Sequence, residues 1–293
     1  MKQLPKITII TASYNAVTTI EQTIASVVYQ DYPNLEYIII DGGSTDGTID
    51  ILRKYEKNGL RWISEPDNGL YDALNKGVRM ATGDYIEILG GDDALVDPQV
   101  VSRVVQEMNP DIDIFAGGVW SVDERSGTQY EFINHALLDG GEYFGDMPPH
   151  AAIFARTSLL LKYPFDTCYK IAADAKFFLQ CYYDKMIHIQ YSDELVAFFA
   201  NAGISSDENA CADEYNRIYR EMGLPFHSPN DAYASPLKIF IKINLKRIGI
   251  FSLCKKVWTP ISRFYKVRYK WQQHQCTNEF CRWCGRVGRK TTG

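Results

Sequence analysis

The sequence predicts an α/β fold with a doubly wound, mostly parallel sheet, and three observations support this. Strand-like and helical segments alternate at short intervals between residues 6 and 89. The strand-like segments are apolar almost throughout, which is typical of parallel strands that are covered on both faces. Each of them ends in a polar or glycine-rich segment, and in such sheets ligands bind beyond the carboxyl ends of the strands.

The elements follow one another in a regular order. Strands are predicted at residues 6–12, 35–40, 60–64 and 84–89, from the runs KITIITA, LEYIII, LRWIS and DYIEIL. Helical patterns lie between them at 18–29, 46–56 and 69–81. From about residue 111 the strands shorten, a helix is predicted near 173–183, and a last apolar strand covers 195–200. We expect this second half to form a lid or a second binding region of one domain that spans residues 1–235.

Charge divides the chain into two parts. The net charge of −5 combines residues 236–293, with fourteen Lys or Arg and one acid (+13), and residues 1–235, with seventeen basic and thirty-five acidic side chains (−18). In residues 237–258 three lysines recur every four positions on an otherwise apolar helical pattern: Lys238, Lys242 and Lys246. This predicts a C-terminal basic amphipathic helix on an anionic membrane surface. A helix packed on the acidic domain, with its lysines in solvent, would give the same pattern.

The sequence contains no segment typical of a signal peptide or of a spanning helix, because polar residues interrupt every long apolar run. Its seven cysteines are an odd number, so we expect reduced thiols and a cytoplasmic protein attached peripherally to the inner face of the membrane. A small zinc site is an alternative for the tail, although its spacing is unusual: His274, Cys276, Cys281 and Cys284. The acidic domain argues against a nucleic-acid partner.

Two adjacent acids follow the fourth predicted strand. Asp92 and Asp93 come directly after Gly90 and Gly91, and neighbouring carboxylates repel each other unless something neutralises them. A hard divalent cation, Mg²⁺ or Mn²⁺, that also holds phosphate oxygens would do so. An Asx turn that closes the strand is the simpler alternative.

A glycine-rich segment, DGGSTDGT, joins the second strand to the next helix. Helix capping accounts for Ser44, Thr45 and Asp46 in this segment. It does not account for Asp41, which we expect to project from the strand end into the crevice. The segment is not G-x-G-x-x-G, so the dinucleotide fingerprint is absent.

Six segments follow one another along residues 6–206: TASYN, DGGSTDGT, EPDNGLYDALNKG, GDYIEILGGDD, PPHAAIFAR and YKIAADAKFFL. In their order and spacing the chain resembles family 2 glycosyltransferases with the GT-A fold. The third is most similar to the branch with colanic-acid and capsule biosynthesis transferases. The resemblance implies inverting, metal-dependent sugar transfer from a nucleotide-diphosphate donor to an acceptor hydroxyl, such as that of a lipid-linked saccharide in bacterial exopolysaccharide, capsule or O-antigen synthesis. Residues 1–110 would then bind the donor and residues 111–235 the acceptor.

The resemblance also implies which residues bind the donor. Thr11, Ser13 and Tyr14 would line the nucleotide pocket, and Asp41 would accept a hydrogen bond from a ring N–H of the base. Uracil, thymine and guanine all carry such an N–H, so a UDP-sugar is the first expectation and GDP- or dTDP-sugars are alternatives. Three further residues would lie near the base, ribose or diphosphate: Asp67, Asn75 and Lys76.

The remaining implied roles concern the reaction itself. Asp93 aligns with the last acid of the family's DxD-type motif and would ligate the metal, with Asp92 beside the substrate. Asp174 matches the acid that serves as base and would take the acceptor's proton. His150 would contact the diphosphate or the acceptor, unless it is structural. Ser205 and Ser206 match a loop that closes over the donor.

The sequence disfavours two alternative functions. A nucleotidyltransferase of similar fold would need a glycine-rich, basic loop after the first strand to hold a triphosphate, and TASYN is neither. An inactive carbohydrate-binding module would tolerate loss of the acids, yet Asp41, Asp93 and Asp174 are all present.

Overall fold

The computed structural model describes residues 4–123, 128–133, 137–139, 142–144, 147–200, 208–224 and 272–273 of the 293-residue chain. In these ranges the strands are β1 (Ile7–Ser13), β2 (Leu35–Asp41), β3 (Leu60–Ser64), β4 (Tyr85–Ile88), β5 (Ala94–Leu95), β6 (Ile114–Asp123), β7 (Thr128–Phe132), β8 (Leu137–Asp139), β9 (Glu142–Phe144), β10 (Ile153–Arg156), β11 (Ile189–Ala200) and β12 (Gln272–Gln273). The α-helices are α1 (Ile20–Val28), α2 (Thr48–Tyr55), α3 (Leu70–Met80), α4 (Val100–Glu107), α5 (Thr157–Lys162), α6 (Ala173–Tyr183) and α7 (Glu208–Glu221). Two 3-10 turns cover Glu56–Asn58 and His150–Ala152.

One mixed sheet organises these elements, in the order β12-β7-β6-β10-β4-β1-β2-β3, with β11 paired to β6 and β5 paired to β11. The first-half strands β1, β2, β3 and β4 are parallel, as the sequence predicts. Strand β10 then lies antiparallel between β4 and β6, and β7 continues the sheet in antiparallel pairing with β6. The predicted α/β class is therefore confirmed, and the antiparallel strands come from the second half of the chain.

Alternate residues of each buried strand point to opposite faces of the sheet, and helices cover both faces. Ile9 and Ile39 lie in a core cluster that includes side chains of α1, α2 and α4. Their neighbours Ile10 and Ile40 lie in a second cluster with side chains of α3, α5 and α6. Apolar residues at every strand position thus build two cores, one on each side of the sheet, which is the arrangement that near-continuous apolar runs predict.

Helix α3 packs unusually close to the sheet because residue 77 is glycine. A Cβ atom at Gly77 would lie 2.6 Å from the Cγ2 atom of Ile10. Because α3 follows the carboxyl end of β3, its amino end lies at the same edge of the sheet at which β1 and β2 end.

The carboxyl ends of the first three strands are level with one another. Ser13 of β1 pairs with Asp41 of β2, and Asp41 pairs with Ser64 of β3. Strand β4 ends alongside, and the turn Gly90–Asp93 follows it at the same edge. This edge is where the polar segments gather, as the strand–helix alternation predicts.

The predicted C-terminal helix over residues 237–258 lies outside the described residues, as do Ser205, Ser206 and the four residues of the alternative zinc site. Within the tail the structure describes Gln272–Gln273, which form the edge strand β12, antiparallel to β7. None of the helices in the described ranges is long and apolar enough to cross a membrane.

Candidate active site

A cavity of about 770 Å³ opens at the carboxyl edge of β1 and β4, between the sheet and the amino ends of α3 and α6. Its deeper wall is apolar and includes the nearly inaccessible side chains of Ile86, Ala155 and Leu160. Its polar side chains include seven of the residues that the sequence predicts for the site: Ser13, Tyr14, Asp67, Asp92, Asp93, His150 and Asp174. The cavity thus brings together residues that are up to 161 positions apart in the chain.

Asp93 is buried at the end of the turn that follows β4. Its Oδ1 atom accepts a hydrogen bond from the Ala200 N–H at 2.9 Å, whereas its Oδ2 atom has no hydrogen-bond partner among the described residues. Burial, followed by the charge of Asp92, raises the pKa of the Asp93 carboxyl to about 7. Gly90 permits this turn, because a Cβ atom there would lie 2.6 Å from Oδ2 of Asp93. A buried carboxylate oxygen without a partner is costly to ionise unless a cation or donor reaches it.

His150 lies between the two acids of the site. Its Nε2 atom is 3.8 Å from Oδ2 of Asp93, and its Nδ1 atom is 3.5 Å from Oδ2 of Asp174. Phe199 supports the imidazole in an edge-to-face contact, with ring centroids 5.4 Å apart. Burial opposes the charged form, but the hydrogen bond to Asp174 and the charges of Asp174, Asp93 and Asp92 raise the pKa of His150 above its ordinary value.

Asp174 lies in the first turn of α6, as the sequence predicts. Its Oδ1 atom accepts a hydrogen bond from the Tyr71 hydroxyl at 2.9 Å, and its other oxygen faces His150. Burial works to raise the pKa of Asp174, but the hydrogen bond and charge of His150, together with the Tyr71 hydroxyl, hold it below the ordinary value. Asp174 is therefore an ionised carboxylate in a cavity, which is the state required of a base.

The residues around Asp93 fit a divalent cation of the kind that is held jointly by protein and substrate. The described residues contain no cluster of three or more His, Cys, Asp or Glu side chains that could hold a metal ion. Mg²⁺ needs no such cluster in nucleotide sites, since one or two carboxylates, several waters and substrate phosphates complete its shell. The unpartnered Oδ2 atom of Asp93 beside Asp92 supplies that kind of donor set.

The Asp41 side chain does not point in the direction that the sequence predicts. It is fully buried and lies outside the cavity wall, so the expectation that it projects into the crevice is wrong for this conformation. Five donors converge on its carboxylate: the hydroxyls of Ser13, Ser44 and Ser64 and the main-chain N–H groups of Gly43 and Ser44. Because a carboxylate has about four lone-pair positions, this shell leaves no acceptor site for a ligand. Asp41 ties the ends of β1, β2 and β3 together beneath the site.

Three other predicted residues also lie outside the cavity wall. Thr11 is fully buried and shares a 3.2 Å hydrogen bond with the Tyr37 hydroxyl. Asn75 makes two hydrogen bonds to the main chain of Phe165, at 2.8 and 3.0 Å, and so fastens the segment before α6 to α3. Lys76 contacts Glu65 at 2.9 Å on the rim. Their roles in donor binding stay predictions.

The sequence pattern does not identify Tyr71, whose hydroxyl lies within hydrogen-bond distance of Asp174 in the cavity wall. Tyr71 lies within the motif EPDNGLYDALNKG, one turn before Asn75 on the buried face of α3. An aromatic residue on an apolar helix face is normally interpreted as core packing, which hides its hydroxyl. The signal that could have found it is its place in the first turn of a helix that begins at the ligand-binding edge.

Comparison with known proteins identifies close sequence relatives. The sequence profile of glycosyl transferase family 2 matches residues 8–168. An uncharacterized glycosyltransferase of Mycobacterium tuberculosis is 33% identical over 187 residues, covering 61% of this chain and 70% of that protein. The PGL/p-HBAD biosynthesis glycosyltransferase of Mycobacterium bovis is 31% identical over 208 residues, covering 68% and 78% of the two chains. A putative teichuronic acid biosynthesis glycosyltransferase, TuaG of Bacillus subtilis, is 45% identical over 92 residues, 30% of this chain and 36% of that protein.

Two solved structures share the fold. Staphylococcus aureus TarS 1–349 in complex with UDP-GlcNAc superposes with a TM-score of 0.55 at 18% identity, covering 88% of this chain and 78% of that one. This chain covers 46% of a longer TarS structure. The mannosyltransferase PcManGT from Pyrobaculum calidifontis, in complex with GDP-Man and Mn²⁺, gives a TM-score of 0.58 at 17% identity, covering 90% and 82%. These similarities confirm the predicted GT-A type of α/β fold.

Proposed function

The chain belongs to glycosyl transferase family 2, and from this premise we propose that it transfers a sugar from a nucleotide-diphosphate donor to an acceptor hydroxyl with inversion at the anomeric carbon. One observation carries the proposal: Asp93, with an unpartnered oxygen, and Asp174, an ionised acid, line the same cavity on opposite sides of His150. A group that holds the leaving diphosphate and a base that faces it across the anomeric carbon are the two requirements of a single displacement.

Asp174 is the base in this proposal. As the acceptor oxygen bonds to the anomeric carbon, the bond from that carbon to the diphosphate oxygen breaks, and the acceptor's proton passes to the Asp174 carboxylate. Tyr71 and His150 hold the carboxylate in place from two sides, at 2.9 and 3.5 Å. This single displacement uses no nucleophile of the enzyme, and it inverts the configuration at the anomeric carbon.

Asp93 would hold a divalent cation, Mg²⁺ or Mn²⁺, with Asp92 beside it. Such an ion supplies charge that stabilises the departing diphosphate. The buried position of Asp93 and its unpartnered oxygen support this role, because a bound cation would offset the cost of keeping the carboxylate ionised there. The Pyrobaculum mannosyltransferase binds Mn²⁺ together with GDP-Man, which supports a divalent cation beside a nucleotide-sugar donor here as well.

The donor is a sugar nucleotide, with UDP proposed before GDP or dTDP. Ser13, Tyr14 and Asp67 line the cavity, and Tyr14, at 67% exposed, is accessible for stacking on a base. The UDP-GlcNAc complex of TarS supports uridine, whereas the GDP-Man complex keeps guanosine as the alternative. Asp41 would then act through the strand ends that it fixes, rather than by contact with the base.

The acceptor is proposed to be a lipid-linked saccharide in the synthesis of a bacterial surface glycan, at the inner face of the cell membrane. TuaG, named for teichuronic acid biosynthesis, and the mycobacterial PGL/p-HBAD enzyme support an envelope glycan. The apolar deep wall of the cavity and the basic tail support an acceptor that resides in a membrane. The motif EPDNGLYDALNKG is the feature that supports the colanic-acid and capsule branch within the family.

A thermal-unfolding screen tests the donor assignment. UDP-, GDP- and dTDP-sugars are added with and without Mn²⁺, and the correct donor raises the melting temperature because it binds only the folded chain. Product formation with lipid-linked saccharide acceptors then tests transfer. Release of pyrophosphate from a nucleoside triphosphate and a sugar phosphate would instead indicate a nucleotidyltransferase. Binding of saccharide without any donor effect would indicate an inactive carbohydrate-binding module.

A further inference from the structure

The Tyr71 hydroxyl has one hydrogen and two acceptors. It lies 2.6 Å from the main-chain oxygen of Ile171 and 2.9 Å from Oδ1 of Asp174. Both acceptors belong to the segment that enters α6, about a hundred residues away from Tyr71 along the chain. A phenol can donate only one full hydrogen bond at a time, so the two acceptors compete for the same hydrogen.

Tyr71 cannot itself act as a base. The side chain is 4% exposed. Burial, then the charge of Asp174 and the hydrogen bond to it, raise the pKa of the phenol far above its ordinary value. The hydroxyl therefore keeps its hydrogen throughout, and what can change is the acceptor to which that hydrogen points.

We propose that Tyr71 is the positioning residue of the base, holding the Asp174 carboxylate by donation before transfer and turning its hydrogen to the Ile171 carbonyl once Asp174 is protonated. This inference rests on the role of Asp174 proposed above. The acceptor's O–H bond breaks and a new O–H bond forms on Asp174, which then becomes a weaker acceptor. The Ile171 oxygen at 2.6 Å takes over as partner, so the Tyr71 hydroxyl keeps a hydrogen bond in both states. The Tyr71 hydroxyl is therefore not left without an acceptor in either state.

Other groups that share the site with Asp174 must be considered in a pH experiment. His150 contacts its second carboxylate oxygen, with Asp92 and Asp93 beyond the imidazole. Lys170 lines the same cavity. Helix α7 presents two further ionisable residues near the start of α6, which are Glu214 and Tyr215. A change that appears only when the Tyr71 hydroxyl is altered separates its contribution from all of these.

The chain offers a matched control for this hydroxyl. Tyr85 is equally buried, at 5% exposed, and its hydroxyl also donates to a main-chain oxygen, that of Ile112 at 2.7 Å. It does not line the cavity. Tyr71→Phe and Tyr85→Phe therefore remove the same group from similar surroundings, and only the first removes a contact to Asp174.

The experiment measures acceptor-dependent turnover of the full chain across pH, with both variants and Asp174→Asn. Tyr71→Phe is expected to lower kcat by about 10- to 100-fold, as for loss of a hydrogen bond to a charged group, with donor KM changed less than about twofold. The acidic limb of its kcat profile should move to higher pH, because the carboxylate loses a donor that favours its charged form. Tyr85→Phe should leave that limb in place.

A second substitution keeps the result decisive even if Tyr71→Phe folds poorly. Site-specific 3-fluorotyrosine at position 71 preserves the shape but makes the phenol a stronger donor, so the acidic limb should move to lower pH. Wild-type turnover and an unmoved limb in both Tyr71 variants, or equal losses in Tyr71→Phe and Tyr85→Phe without a moved limb, would overturn the positioning role. Wild-type turnover in Asp174→Asn would instead overturn the proposed base, which is a separate failure.

Discussion

At the scale of single residues, the cavity places two buried acids in opposite electrostatic surroundings. Asp93 has an unpartnered oxygen and a raised pKa, whereas Asp174 has donors on both sides and a lowered pKa. Burial disfavours the charged form of both acids, and the difference arises because Asp93 has the like charge of Asp92 beside it whereas Asp174 has His150 and the Tyr71 hydroxyl. This contrast assigns the cation to Asp93 and the proton transfer to Asp174.

Substitution Asp93→Asn should remove most of the metal dependence of donor binding. The amide keeps an oxygen for the Ala200 N–H but no longer attracts a cation. Without ligands the variant should be at least as stable as the wild type, because it no longer buries a carboxylate oxygen that lacks a hydrogen bond. The check is the rise in melting temperature caused by UDP with and without Mn²⁺. Full turnover of the wild-type enzyme in excess chelator would contradict the metal role.

Substitution Asp174→Asn should lower kcat by about 10²- to 10⁴-fold, the usual range for loss of a general base. Donor affinity should change little, because the base acts on the acceptor's proton in the transition state. Steady-state kinetics with a verified acceptor measure both quantities. If turnover stayed at the wild-type level, Asp174 would be structural and His150 would be the next residue to test as the base.

The residue scale also marks the limit of sequence reasoning. The strand-end rule predicts the edge at which Ser13, Asp67 and Asp93 gather, whereas His150 and Asp174, which line the same cavity, are expected only from the family resemblance. The rule does not predict how deeply a side chain is buried, and Asp41 shows why. Its burial depends on donors from Ser13 and Ser64, which meet it only through the register of three strands. Such long-range register cannot be inferred from local pattern.

At the scale of elements, the helix that carries Asp174 is held in place from two sides. Asn75 of α3 clamps Phe165, ahead of α6. From the other side, Glu214 of α7 accepts hydrogen bonds from the main-chain N–H groups of Lys170, Ile171 and Ala172, at 2.8, 2.8 and 2.9 Å. Ala172 caps α6 without a side-chain hydrogen bond of its own, so Glu214 supplies the acceptor that the helix start lacks.

Substitution Glu214→Gln should therefore loosen the start of α6. A neutral amide keeps one oxygen acceptor but loses the other and the negative charge, which should cost about 1–3 kcal/mol of unfolding free energy and lower kcat more than donor affinity. Asp213→Asn is the control, since Asp213 is an exposed acid on the same helix. Thermal unfolding and kinetics of both variants measure the effect. Equal behaviour of the two would show that α7 does not support the site.

Element boundaries were predictable where the pattern is local. Strand β3 and helix α6 have the predicted bounds, and α3 differs by one residue at each end. Strand β11 is longer than predicted, because its first half, Ile189–Glu194, is not an apolar run. Its pairing with β6 extends it, and that pairing joins segments about seventy residues apart.

At the scale of the whole molecule, the edge opposite the cavity is fastened by one buried acid. Glu36 accepts hydrogen bonds from the Thr8 hydroxyl and from the N–H and hydroxyl of Thr82, and it pairs with Arg61 at 2.6 Å and Lys6 at 3.5 Å. Burial works to raise the pKa of Glu36, but these hydrogen bonds and the Lys6 charge lower it to about 2. The carboxylate thus joins the amino ends of β1, β2 and β3 to the residues before β4.

Substitution Glu36→Gln should destabilise the chain at neutral pH by about 1–3 kcal/mol, the range for weakening buried hydrogen bonds to a charged acceptor. Because the folded-state pKa is the lower one, the stabilisation is present above the unfolded pKa and is lost as pH falls toward about 2. The gap between variant and wild type in urea unfolding should therefore shrink below about pH 4.5. Asp50→Asn, at an exposed ion pair with Arg53, should show a gap below about 0.5 kcal/mol at every pH. A gap that did not change with pH would contradict the assignment.

The last prediction concerns the two-part charge of the chain, with residues 1–235 as the proposed catalytic domain and residues 236–293 as a membrane-binding tail. Truncation after about residue 235 would also remove β12 from the sheet edge, so a charge substitution is the cleaner test. Replacing Lys238, Lys242 and Lys246 by Gln should weaken sedimentation with phosphatidylglycerol-containing vesicles by about 100-fold, at about 1 kcal/mol for each lysine near an anionic surface. Pure phosphatidylcholine vesicles should bind neither chain.

The matched control replaces three exposed lysines of the domain, Lys57, Lys162 and Lys185, by Gln. It changes the net charge by the same amount, so vesicle binding should be retained if the position of the charge matters rather than its total. Both variants should keep the same donor-induced rise in melting temperature, because the cavity lies at the carboxyl edge of the sheet, among residues 12–200. Equal vesicle binding by the tail variant and the wild type would show that the lysines face solvent on a packed helix. Equal losses of vesicle binding in both variants would show that the tail lysines act only through the net charge of the chain.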